Sequence, residues 1–218
     1  TVPAQDGKRI RSRLSLINRW KILDNLRRSL SAPALLLFFA AAWAALPGSP
    51  WMWTLLGSLT LAGPLLTGVL STVLGVLRGA SMTENMHSLR QTALRWLLSL
   101  AFLPFESVVV LDAVLTTLVR LLLRRGGMLE WTPAALSARR WGSERSLLTV
   151  WQNMIEAPLI ALLAALMLVV LRLQALWGAL PLLGAWFLSP LVVDFLSRPL
   201  HEGPDELTPD QTRELRTL

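Results

Sequence analysis

Long apolar runs separated by short polar punctuation dominate this chain. Leu30–Leu46, Trp51–Leu77 and Ala175–Val193 carry no internal charge, and Trp151–Leu171 is interrupted only near its start by Gln152, Asn153 and Glu156. A hydrocarbon core about 30 Å thick needs roughly 20 mostly apolar helical residues, so each run has about the length of a crossing. The pattern predicts an all-α membrane protein with four transmembrane helices at about 31–47, 51–77, 151–172 and 175–197. The first two form a hairpin closed by Pro47-Gly-Ser-Pro50, where Trp51 and Trp53 fall at an expected aromatic belt. In the second run, Gly57, Gly63, Gly68, Gly75 and Pro64 predict close helix packing and a kink, on a helix long enough to tilt.

Two other segments are apolar on one side only. From Leu14 to Leu30, a wheel of 100° per residue places Leu16, Trp20, Ile22, Leu23, Leu26 and Leu30 on one face, opposite Asn18, Lys21, Asp24, Asn25 and Arg28. That is the pattern of an interfacial helix. Arg19 and Arg27 fall inside the apolar arc, where they snorkel to phosphate headgroups or meet a protein or polar path. The second segment, Trp96–Arg125, is hydrophobic on average but contains Pro104, Glu106, Asp112 and Arg120. From Phe105 onward Glu106, Asp112, Thr116, Thr117, Arg120 and Arg124 share one arc. A lipid-facing span would not tolerate such a stripe. We therefore expect a helix near 105–125 that is interfacial or re-entrant.

Charge distribution fixes the expected orientation. The 218 residues carry 21 Lys and Arg against 14 Asp and Glu, a formal charge of +7. Eight of the basic residues lie in 1–29, nine in 78–149 and three after Val193, whereas the turn 47–50 has none and the turn 172–174 has one. Four crossings place every basic stretch on one side and both turns on the other, the positive-inside pattern, with both termini cytoplasmic. The basic excess is thus topological, and no nucleic-acid partner is expected. The organisation read from this is a basic lead with an interfacial helix at 1–30, a transmembrane hairpin at 31–77, a cytoplasmic and interfacial region at 78–149, a second hairpin at 150–198 and a linker at 199–218. Thr208-Pro-Asp-Gln211 has the form of a capping box with proline at the first helical position, close to Leu218. A longer polypeptide on either side is the expectation.

Candidate chemistry is sparse. The chain has no cysteine, and its two histidines, His87 and His201, are far apart, so neither a thiolate nor a histidine metal site is expected. No phosphate-binding glycine loop or Ser/His/Asp order is present. Glu84, Glu130, Glu144 and Glu156 are scattered without paired spacing, so the chain alone is expected to be catalytically inactive. Glu106 and Asp112 are six residues apart and suit hydrogen bonds to Arg120, Arg124 or a polar ligand better than a catalytic carboxylate pair. Gln91-Thr-Ala-Leu-Arg95-Trp96 is close to the Gln-x-x-Arg-Trp motif of processive glycosyltransferases, but it has one residue too many and follows two spans. It is read as coincidence.

A set of local motifs has a more specific likeness. Asn18-Arg-Trp-Lys-Ile-Leu-Asp-Asn-Leu-Arg-Arg-Ser-Leu30, Phe102-Leu-Pro-Phe-Glu106 with Leu111-Asp-Ala113, Leu129-Glu-Trp-Thr132, Leu188-Ser-Pro190 and Leu196-Ser-Arg-Pro199 occur in the order found in the central membrane region of bacterial cyclic β-1,2-glucan synthases, which the chain resembles. Pro133 departs from the second Thr usual after Trp-Thr, and the loop Gly79–His87 does not align. The resemblance implies a multi-pass protein of the bacterial inner membrane. It also implies an upstream glycosyltransferase domain using UDP-glucose with Mg²⁺ or Mn²⁺, and downstream carbohydrate-active domains ending in a phosphorylase-like module. The catalytic residues would lie outside this chain, and Asp24, Arg27, Glu106, Asp112 and Arg120 would serve domain docking or the glucan path. The competing classes are a channel or transporter subunit and a membrane scaffold. Against transport, the middles of the four spans lack charge.

Overall fold

The structure is a computed structural model that describes residues 2–3, 9–10, 15–78, 82–120, 122 and 147–198. The motif Leu129-Glu-Trp-Thr132, Arg124 and the expected linker 199–218 with its capping box lie outside these residues. Val2–Pro3 and Arg9–Ile10 pair as two-residue antiparallel strands within the stretch expected to be a turn-rich lead. The other described elements are helical, as the apolar pattern predicts: α1 Leu16–Ser29, α2 Ser31–Ala44, α3 Pro50–Thr60, α4 Gly63–Leu77, α5 Met82–Ala101, α6 Leu103–Val119, α7 Leu147–Asn153, α8 Glu156–Leu171, a 3₁₀ turn Leu173–Ala175, and α9 Leu176–Leu196.

The expected spans are only partly realised as single helices. Leu173–Leu196 is the one described helical stretch long and apolar enough to cross a membrane unaided. Up to four candidates result if each of three bent pairs counts as one span. The expected helix 51–77, with its predicted kink, is two helices, α3 and α4, bent by 74°, and the expected 151–172 lies across α7 and α8, bent by 63°. The third bent pair, residues 86–119, breaks by 64° between α5 and α6, in the region expected to be interfacial or re-entrant. The span expected at 31–47 is a helix of 14 residues, about 21 Å at 1.5 Å per residue and shorter than a bilayer core.

Proline explains each break. It lacks an amide hydrogen, and its ring clashes with the carbonyl four residues earlier. Pro64 and Pro104 are the second residues of α4 and α6, and Pro158 is the third of α8. The neighbouring amides shift to tighter bonds, with Ala62 N–H donating to the Leu59 carbonyl at 3.0 Å and Ala157 N–H to Met154 at 3.1 Å. The kink that Pro64 predicts is therefore present, as a full break.

Carbonyls released near two of these breaks find donors on neighbouring helices. Pro104 cannot donate to the Leu100 carbonyl, which accepts Trp186 Nε1–H from α9 at 2.9 Å. The Ser58 carbonyl, no longer reached by the Ala62 amide, keeps a longer bond from the Leu61 amide at 3.3 Å and accepts Trp96 Nε1–H from α5 at 2.9 Å. Within α9, Pro190 removes the amide that would reach the Trp186 carbonyl. The Ser189 hydroxyl donates to that carbonyl instead at 2.8 Å, and the helix continues.

The core forms around the same tryptophans. Phe39 and Trp43 of α2 stack at 5.2 Å, and Trp186 lies 5.7 Å from Trp43 and 6.3 Å from Phe39. All three are at most 1% exposed, with Leu100, Leu103, Leu168 and Leu182 packed in the same cluster. Close approach depends on two glycines. A Cβ on Gly57 would lie 2.3 Å from Phe39, and one on Gly178 would lie 2.7–2.8 Å from the Pro50 Cβ and the Pro50–Trp51 backbone. Gly63, by contrast, has nothing within 4 Å, and Gly68 only ordinary contacts, so the packing role expected of that series rests on Gly57.

At one end of the bundle, Arg172 joins the two short turns. Its guanidinium donates to the Leu46 carbonyl at 2.6 Å and to the Gly48 carbonyl at 2.9 Å. Gly48 has φ +97°, a backbone conformation that glycine adopts at little steric cost. Trp53 Nε1–H closes the same loop by donating to the Pro47 carbonyl at 2.9 Å.

Replacing Trp186 by Phe keeps most of the ring but leaves the buried Leu100 carbonyl without its donor. The expected cost is about 1–3 kcal/mol, read as a lower unfolding midpoint in detergent. Trp20→Phe on exposed α1 should leave the midpoint within about 0.5 kcal/mol of wild type. Equal midpoints for the two variants would contradict the role given to the indole.

Candidate functional site

Asp24 and Arg27 come together on α1. Ser15 caps that helix by accepting the Asn18 amide at 3.3 Å. Spacings of three and four residues then let Asp24 Oδ1 accept from Arg27 at 2.9 Å while Oδ2 pairs with Arg28 at 2.7 Å. The hydrogen bond from Arg27 is the largest cause that holds the Asp24 carboxyl below its ordinary value of 3.8; desolvation opposes it, and the hydrogen bond from Arg28 and the charge of both arginines add to the lowering. Arg27 is thus held toward Asp24, although the helical wheel places it in the apolar arc. The apolar side of α1 is uncovered, with Leu16, Trp20, Ile22 and Leu23 all more than half exposed.

Glu106, Asp112 and Arg120 lie along α6 and its end. Leu103, Pro104 and Ser107 anchor the start of α6 in the core, whereas Glu106 and Asp112 are exposed and Thr116 and Arg120 half-buried. Among the described residues, neither Glu106 nor Asp112 forms an ion pair, and Arg124, another partner expected for them, lies outside those residues. Val109, Leu111, Leu115 and Leu118 are also exposed. Beyond its anchored start, α6 therefore presents both polar and apolar groups at the surface. The two predicted sets, on α1 and α6, are separate local groups and do not form one constellation.

A third place was not singled out as a site. Where α3 breaks into α4, a cleft of about 260 Å³ opens against α5, lined by Leu61, Pro64, Leu65, Thr92, Arg95, Trp96 and Ser99. Its polar groups recur at three- and four-residue spacing along one face of α5, a signal present in the sequence. The cleft holds the Arg95-Trp96 pair that was read as coincidence. Arg172 was likewise counted only as a turn charge. Its two acceptors, about 125 positions away, could not be read locally.

Among the described residues, no group of three or more His, Cys, Asp or Glu side chains could hold a metal ion. Glu156 is half-buried at the start of α8, and its Oε2 is shielded from solvent without a hydrogen-bond partner.

These features define a helical chain with apolar span-like elements, an uncovered amphipathic helix and a small polar cleft at a helix break. The chain is similar to the cyclic beta-(1,2)-glucan synthase NdvB of Rhizobium meliloti (strain 1021), with 28% identity over 199 residues. The alignment takes in 89% of this chain and 7% of that protein, so the chain spans under a tenth of its relative's length. No protein-family model matches the chain. The similarity agrees with the family that the ordered motifs indicate.

Because Asp24 is more acidic in the folded helix than in an unfolded chain, its pairing favours the fold above the unfolded pKa. That contribution disappears as pH falls through the lower folded pKa. Carboxyl-carbon NMR titration should place the Asp24 midpoint below 3.8, and Arg27→Ala should move it upward. A midpoint unchanged by that substitution would remove Arg27 as the main cause.

Proposed function

We propose that this chain is a membrane-embedded segment of a processive glycosyltransferase that makes cyclic β-1,2-glucan from UDP-glucose. The segment anchors and positions a catalytic domain carried elsewhere in the same polypeptide, with Mg²⁺ or Mn²⁺ and the transferring carboxylates in that domain. One observation carries this reading: the similarity to the NdvB synthase, 28% identity over 199 residues, extends over 89% of the chain and is not confined to one apolar run. The uncovered apolar side of α1 suits a helix lying in the cytoplasmic headgroup region. Downstream carbohydrate-active domains of the same polypeptide complete the proposed assembly, in a bacterial inner membrane.

The Arg172 clamp supports the orientation inferred from charge. It holds the 45–49 loop and the 172–175 turn together at one end, as an arrangement with both on the periplasmic side requires. The chain is naturally free of cysteine. Single cysteines at Ser49 and Gln174 should therefore react with an impermeant thiol reagent from the periplasmic side and be silent from the cytoplasmic side. Labelling from the cytoplasm alone would overturn the topology.

Asp24, Arg27, Glu106 and Asp112 then serve to dock the catalytic domain or guide the glucan. Each alanine variant removes a charged hydrogen-bonding group from that contact, so it should slow UDP-glucose consumption in membranes at matched expression. Wild-type rates for all four would leave these residues as surface charges.

A further inference from the structure

The cleft at the α3–α4 break has a donor and acceptor inventory that selects among ligands. Thr92 Oγ1 donates to the Ser88 carbonyl at 3.0 Å, and Ser99 Oγ donates to the Arg95 carbonyl at 2.9 Å. With those protons committed, the two hydroxyls have lone pairs left to offer. Trp96 Nε1–H is committed to the Ser58 carbonyl, leaving its ring as apolar wall together with Leu61, Pro64 and Leu65. Arg95 is exposed and has no partner among the described residues, so its guanidinium is the available donor. Among the described residues, no carboxylate lines the cleft.

This combination disfavours a cation, which would meet Arg95 without a compensating anion. A bare phosphate fits poorly as well, because it brings acceptors and cannot use the lone pairs of Thr92 and Ser99. A sugar hydroxyl both donates and accepts, and a pyranose ring adds a C–H face that can lie on an apolar wall. At about 260 Å³ the space falls below the roughly 300–1,000 Å³ of drug-sized ligand sites, which suits one ring rather than an oligosaccharide.

We propose that the cleft between α4 and α5 seats one hexopyranose unit of a neutral glucan, with Arg95 donating to a ring hydroxyl and Thr92 and Ser99 accepting from its neighbours. The choice of glucan rests on the synthase reading. The site itself rests on the cleft. It would hold the polymer beside the membrane segment, away from the transferring carboxylates.

The test uses the protein in nanodiscs of uncharged phosphatidylcholine, titrated by calorimetry with a linear β-1,2-glucooligosaccharide, with inorganic phosphate and with phosphatidylglycerol. The oligosaccharide should bind saturably, with neither phosphate nor phosphatidylglycerol competing. Arg95→Gln and the double variant Thr92→Val/Ser99→Ala should each weaken sugar binding about tenfold or more. Arg90→Gln, on the same helix but outside the cleft, should bind as wild type does, and circular dichroism should show the same helix content in all variants. Sugar affinity unchanged by Arg95→Gln, no saturable sugar binding by the wild type, or competition by either phosphate source would overturn the proposal. UDP-glucose consumption by membranes containing the intact polypeptide separates the two readings. Consumption with Arg95-independent sugar binding removes the cleft proposal alone, whereas Arg95-dependent binding without consumption removes the synthase reading alone.

Discussion

A carbonyl released at a helix break must find a donor, and in this molecule the donors are largely indoles from other helices. Pro104 leaves the Leu100 carbonyl open and Trp186 closes it. At the Pro64 break, Ser58 is served in the same way by Trp96. In an apolar interior an unmet backbone group costs more than most packing contacts contribute, so at these two breaks the indole bond is part of what makes the bend stable. The bends and the packing are consequently one arrangement. Trp186 also touches Phe39 and Trp43, which carries the dependence from the α5–α6 break into the centre of the core.

The same logic reaches Thr54 on α3. Its hydroxyl oxygen accepts Trp43 Nε1–H at 2.9 Å and lies 2.9 Å from the Gly178 carbonyl of α9, while the absence of a Cβ at Gly178 lets the start of α3 come close. Helices α2, α3 and α9 are thus tied by a buried polar link beside a close backbone approach. Arg172 adds a charge-assisted bond at the adjoining turns. Apart from the long stretch that ends in α9, the apolar helices are short or bent, yet their junctions are stitched, and a cleft opens at the 74° turn between α3 and α4.

Much of the helical plan was legible because it depends on local periodicity. The apolar runs, the one-sided pattern of α1, the tight Pro47–Pro50 turn and the polar stripe on α6 all follow from side chains three or four residues apart. The candidate residues were less legible. Asp24 and Arg27 could be paired from spacing, but Glu106 and Asp112 stand apart from Arg120 in the sense that matters for an ion pair. The cleft residues on α5 had the right periodicity, although the apolar wall completing the cleft comes from a break some 30 residues earlier.

Sequence by itself determined where helices could form, where proline would disturb them and how basic charge is distributed, since these depend on local backbone sterics and composition. It could not determine what each proline would do. Pro64, Pro104 and Pro158 accompany breaks, whereas Pro181 and Pro190 remain within α9. Nor did it distinguish the crowded Gly57 and Gly178 from the open Gly63 and Gly184. Only the tertiary structure decided those outcomes, because the Pro64 and Pro104 bends are met by hydrogen bonds from other helices, and a glycine is required where a buried ring, as at Gly57, or another backbone, as at Gly178, occupies the place of its Cβ.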